Sequence, residues 1–142
     1  MRINTRFTVA VHMLALIELN RTKPSTSDLM ALSVGTNPVV IRQLMSALKK
    51  AGLIETQSGV PGCRLSRPQE DISLLDIYRA VRKDPNSSIF GFHPAPNPMC
   101  PVGRNIEDAL DEPLFIAQTA LENALEGFTL QNITAFISEK NL

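Results

Sequence analysis

Tryptophan is absent, aromatic residues make up only 5% of the chain, and Cys63 and Cys100 are its two cysteines. Two thiols are too few for a disulfide framework, so a stapled secreted scaffold is excluded and both are expected free in a reducing cytosol. No apolar run approaches the roughly 20 residues that cross a bilayer, so no membrane partner is expected. Met1-Arg2-Ile3-Asn4 lacks the long apolar stretch of a signal peptide, which places the expected location in the cytoplasm. A glycine-rich phosphate loop and clustered carboxylates are missing too. Cys100 with His93 is the one conceivable nucleophile and base, and no orienting group accompanies them, so the sequence argues against an enzyme. The same two residues are at most a two-ligand fragment, and His12 stands alone and reads as an ordinary partly buried histidine, so no metal site is expected.

Net charge is also zero, with 14 basic and 14 acidic residues, which on its face argues against a nucleic-acid partner. Dividing the chain reverses that. Up to Lys83 there are 12 basic and 6 acidic residues, and from Asp84 onward 2 and 8, a split of +6 against −6. Such asymmetry suits one half to a polyanion and the other to a different task. The plain alternative is that the charges only solvate a surface.

What the chain does contain is concentrated between Ser25 and Leu65. A first short helix is expected from Thr26 or Ser27, where a hydroxyl can accept from the free N–H groups of the first turn, with Leu29, Met30 and Leu32 directed to a core. Val34-Gly35-Thr36 breaks the period. Asn37-Pro38 restarts it, because asparagine caps a helix and proline at its first position gives up an N–H that would have no partner. Val40, Ile41, Leu44, Met45 and Leu48 then recur at helical spacing until Gly52. Asn37, Val39, Arg42, Gln43, Ser46, Lys49 and Lys50 occupy the other faces, and Arg, Gln and Asn are side chains that read base edges in a major groove. Two helices around a short glycine turn form the helix-turn-helix pattern. Leu53–Thr56 and Cys63–Leu65 read as short strands joined by Gln57-Ser58-Gly59-Val60-Pro61-Gly62, a hairpin tip, which makes the whole a winged helix.

Around this stretch the elements support it. Ile3 to Asn20 reads as a helix behind an Asn4 or Thr5 cap, with Phe7, Ala10, Val11, Leu14 and Ile17 on one face. Ser73 caps a helix from Leu74 to about Arg82 whose stripe is Leu74, Ile77, Tyr78 and Val81. Asp84 to Pro101 carries five prolines and reads as a loop or hinge, a candidate sensing segment. From Val102 to Glu126 a long helix is expected, kinked by Pro113, and longer than a small domain needs for its own core. Its apolar residues are assigned to a partner subunit, with Ile106, Leu110, Leu114, Ala117, Leu121, Ala124 and Leu125 as the dimer interface. Folding of that helix wholly onto its own domain is the alternative. Thr129 caps a last short helix through Phe136 and Ile137.

The fold class is therefore mainly α with a small β-hairpin wing: a winged helix-turn-helix domain over residues 1–83, a Pro-rich hinge over 84–101, and a dimerisation helix plus short C-terminal helix over 102–142. The N-terminal helix, TNPVVIRQLMSALKKAGLI, GCRLSRP and ISLLDIYRAV together resemble the bacterial Rrf-type winged-helix regulators, and PNPMCPVGRNIEDALDE resembles their YwnA-like branch. The resemblance covers nearly the whole chain. It implies a homodimeric transcription factor, usually a repressor, whose long helices cross and whose winged domains bind a pseudo-palindromic operator on double-stranded DNA.

Better-known relatives hold an iron-sulfur cluster on three cysteines in the loop before the long helix. Here that loop offers only Cys100, so no cluster is expected. Cys100 is instead a candidate redox thiol, since a thiolate at a helix start feels the positive end of the dipole, or it is a small residue filling a gap. The site assignment places Thr36, Asn37, Val39, Arg42, Gln43 and Ser46 at base edges. Arg2, Arg6, Lys49, Arg64 and Arg67 are assigned to phosphates, and Gln57 and Ser58 to the wing tip at a minor groove. A winged helix that binds protein and no DNA is the competing class, and no effector is identifiable.

Overall fold

The computed structural model describes residues 5–20, 22–84 and 88–141. Six helices and one hairpin follow in the order α1 (Thr5–Leu19), α2 (Ser27–Val34), α3 (Pro38–Lys50), β1 (Ile54–Gln57), β2 (Val60–Leu65), a 3-10 turn (Gln69–Asp71), α4 (Leu74–Val81), α5 (Pro101–Glu126) and α6 (Leu130–Lys140).

Local chemistry sets the boundaries. Thr26 caps α2 by accepting from the Leu29 N–H at 3.2 Å, so the helix begins at Ser27. Gly35 ends it at φ +82°, a left-handed conformation that a side chain resists, and so makes the tight turn into α3. Asn37 caps α3 through Val40 N–H at 3.1 Å, with Pro38 in the first turn. Ser73 and Asp76 form a capping box on α4, and Thr129 and Asn132 form one on α6.

The core lies where α1, α3 and α4 meet, with Met13, Leu14, Met30, Ile41, Leu44, Leu48, Leu53, Ile72, Ile77 and Val81 all fully buried. The helix α1 is buried on more than its expected stripe: Met13 and Ala15 join Ala10, Leu14 and Ile17, while Phe7 and Val11 are only partly covered. Leu32, expected in the core, is 83% exposed. Ala31 takes the inward position next to Met30 instead. His12 is exposed, not partly buried, and its Nε2 lies 2.9 Å from Ser33 Oγ.

The wing is longer than its sequence pattern suggests. The two strands pair antiparallel with Ile54 opposite Leu65 and Gln57 opposite Val60, so the tip is only Ser58-Gly59 and Pro61-Gly62 belongs to β2. Gly62 is required there. At φ +85°, a Cβ on it would stand 2.7 Å from the backbone nitrogen of Ser25, where Cys63 pairs with Ser25 and ties the wing to the start of α2.

Residues 88–100 hold neither helix nor strand, as the prolines imply. After them α5 begins one residue earlier than expected, at Pro101, and continues through Pro113 for 26 residues. It rests on the body through α4, and α6 then returns to pack on α1 and the 3-10 turn.

Candidate nucleic-acid interface

The helix α3 presents two chemistries on opposite sides. Ile41, Leu44 and Leu48 are fully buried. Asn37, Val39, Arg42, Gln43, Ser46, Lys49 and Lys50 are all exposed, and Thr36 before them is half-covered. Burial of one stripe therefore fixes the rotation that turns the polar residues outward. Arg42 and Gln43 make no side-chain hydrogen bond among the described residues, which leaves a five-donor fork and an amide free for a base edge. Asn37 is more constrained, since its Oδ1 holds the α3 cap and only its amide nitrogen remains to donate.

The wing is braced against this helix. Lys49 Nζ donates to Thr56 Oγ1 at 2.8 Å, joining the last turn of α3 to β1. Sequence reasoning missed Thr56, because its pairing depends on where the strand folds back. Gln57 and Ser58 lie exposed at the tip.

The cations assigned to phosphates differ in their freedom. Arg64 pairs across the hairpin with Glu55 at 2.8 Å, and Arg67 meets Asp76 at 3.4 Å. Both pairs are solvent-exposed and each worth little, so a phosphate can compete for either arginine. Arg6 is half-buried and its Nε donates to the Val81 carbonyl at 3.0 Å, closing the C-terminal end of α4, where a cation is favoured. Arg2 lies outside the described residues.

The two thiols occupy unlike settings. Cys63, half-buried on β2, donates from Sγ to the Ser25 carbonyl at 3.5 Å, and burial pushes its pKa from the ordinary 9.0 to about 11. Cys100 is exposed immediately before α5, where the backbone N–H groups of Gly103 first and Val102 second hold its pKa below the ordinary value.

The residues expected on the dimer face fall on two sides of α5. Leu114, Leu121 and Leu125 are half-buried and share a face with Gln118, the one residue of the helix that is buried. Ile106 and Leu110 are also half-covered, whereas Ala117 and Ala124 are exposed. Val102 at 69% and Ile116 at 58% exposure were not anticipated. By helical geometry they lie with Ala109, Ala120 and Ala124 on the side turned away from Gln118.

A capped helix pair, an outward polar face and a braced hairpin define a DNA-binding winged-helix regulator. Residues 3–135 match the Rrf2 family model, described as an iron-dependent transcriptional regulator, and the chain belongs to that family. YwnA of Bacillus subtilis, provisionally named an HTH-type transcriptional regulator, is 45% identical over 131 residues, covering 92% of this chain and 96% of its own. A crystal structure described as that of a candidate DNA-binding protein is 41% identical with a TM-score of 0.72, covering 91% of this chain and 98% of that one. The oxidised form of CymR from Staphylococcus aureus, at 23% identity and a TM-score of 0.65 over 94% of this chain and 96% of its own, shares the fold.

The family description names iron, and the residues present decide whether this chain could hold it. Cys63 and Cys100 sit on separate elements, and no three His, Cys, Asp or Glu side chains gather as a metal site among the described residues. Two separated thiols do not fit a cluster that takes four ligands, three of them cysteines in the relatives that hold one.

Proposed function

We propose that the protein is a sequence-specific regulator that binds a pseudo-palindromic operator as a homodimer and acts as a repressor, the mode its family resemblance implies. The observation that carries this is the exposed row Asn37, Val39, Arg42, Gln43, Ser46 and Lys49, turned outward by a buried stripe and flanked by the wing. In this reading the two α3 helices enter successive major grooves about 34 Å apart, with Thr36 also at base edges. Arg2, Arg6, Lys49, Arg64 and Arg67 meet phosphates, and Gln57 and Ser58 reach a minor groove. The uncovered apolar side of α5 supports the homodimer. Regulation works without an iron-sulfur cluster and responds to oxidants through Cys100, whose exposure and lowered pKa suit a reactive thiolate.

The reading is tested by titrating duplex DNA at several salt concentrations. Affinity is expected to fall steeply with salt, and Lys49→Ala is expected to flatten the slope by about one unit on every duplex. Absence of salt-dependent binding contradicts it and favours the protein-binding alternative.

A further inference from the structure

The joint between α5 and the winged body is made of two materials. Leu114, Leu121 and Leu125 supply half-buried apolar contact, and Gln118, 9% exposed, sits among them. Apolar contact is non-directional, so grease alone lets one helix roll or slide on another. Hydrogen bonds are directional. Gln118 Oε1 accepts from the Ile89 N–H at 2.9 Å, and its Nε2 donates to Tyr78 Oη and to Glu122 Oε2, each at 3.1 Å. Three of the amide's four hydrogen-bonding positions are therefore used.

Two of these partners are themselves held. The Tyr78 ring stands edge-on to Phe7 of α1 with centroids 6.3 Å apart, and Arg79 Nη2 meets Glu122 Oε1 at 3.2 Å. The Gln118 bond, first among the causes, holds the Glu122 carboxyl below its ordinary pKa. One side chain thus ties α4, α5 and the loop after α4 together.

We propose that Gln118 is a positioning residue that sets the tilt of α5 on the winged body and, through it, the half-site spacing a dimer accepts. This rests on the homodimer reading above. A buried polar group in an apolar seam fixes register at a cost in stability, as a single asparagine does in a coiled coil. The lever is long. From Gln118 back to Pro101 the helix runs roughly 25 Å at 1.5 Å per residue, so a tilt of about 10° at the joint moves its far end about 4 Å. That displacement is close to the roughly 3.4 Å rise of one base pair.

Duplexes selected from a random pool by the wild-type protein supply the probe. They are remade with the half-sites moved by one and two base pairs, and as a single half-site. Gln118→Ala is expected to remain a dimer and to bind the single half-site within about twofold of wild type, while its preference for the selected spacing shrinks about five- to tenfold. Tyr78→Phe, which keeps the ring and removes one partner, is expected to shrink it about two- to threefold. A folded Gln118→Ala dimer with the full spacing preference overturns the positioning role. Should that variant fail to fold, Tyr78→Phe decides by the same ratio. A wild-type protein that runs as a monomer, or selects no paired half-sites, overturns the homodimer reading and this proposal with it.

Discussion

The winged body and the α5 rod handle apolar surface in opposite ways. Every buried hydrophobic side chain among the described residues belongs to the body or to α6, and none to α5, although α5 is the longest helix. Charge follows the same division, with the basic excess before Asp84 and the acidic excess after it. The body is built to close on itself around one core and to present a cationic helix. The rod rests on the body through α4 and keeps its opposite apolar side, with Ala109, Ile116 and Ala120, uncovered.

Substitutions on the two parts should separate stability from association. In the body, Leu44→Ala empties a fully buried position of α3 and is expected to cost about 2–5 kcal/mol in chemical denaturation, since a tight core relaxes only partly around the space left. A loss below about 1 kcal/mol would mean that the α3 packing is assigned wrongly. On the rod, Ile116→Asp introduces a charge on the uncovered side. It is expected to leave the helical content unchanged while weakening self-association about 30-fold or more in sedimentation equilibrium. An unchanged dimer would move the interface elsewhere.

The cysteines sharpen the contrast on a smaller scale. Burial favours the neutral Cys63 thiol, so unfolding releases a proton above pH 9, and this residue's contribution to stability is lost as pH rises from 9.0 towards 11. Cys100 has the reverse setting, and at pH 8 it is expected to be alkylated at least about tenfold faster than Cys63, as peptide mass spectrometry reads. Equal rates would remove the basis for a thiol response at Cys100.

The helix-turn-helix was legible in the sequence because its signals are local. The Thr26 and Asn37 side chains start their helices and Gly35 stops the first, and the Ile41, Leu44, Leu48 spacing fixes which side of α3 is buried whatever packs against it. Signals that needed tertiary register were not. Leu32 and Ala31 cannot be ranked from an apolar pattern, since the inward place depends on how α2 is turned against its neighbours. Pro61-Gly62 suits a turn as well as a strand, and only the pairing of Gln57 with Val60 across the hairpin decides between them. At the candidate interface the outward row of α3 was readable. The Arg64–Glu55 and Arg67–Asp76 pairs were not, because they depend on strand register and on the approach of α4. Gln118 did leave a trace: it interrupts the apolar stripe Leu114, Leu121 and Leu125 with a polar group on the buried side.

The most direct test of the account compares a selected duplex with a scrambled one for wild type and for the Arg42→Ala, Gln43→Ala double variant. The lost base contacts are each worth about 1–3 kcal/mol, so the ratio of the two affinities is expected to collapse by roughly 30-fold or more while binding to the scrambled duplex hardly moves. An unchanged ratio would contradict the assignment of α3 as the helix that reads sequence.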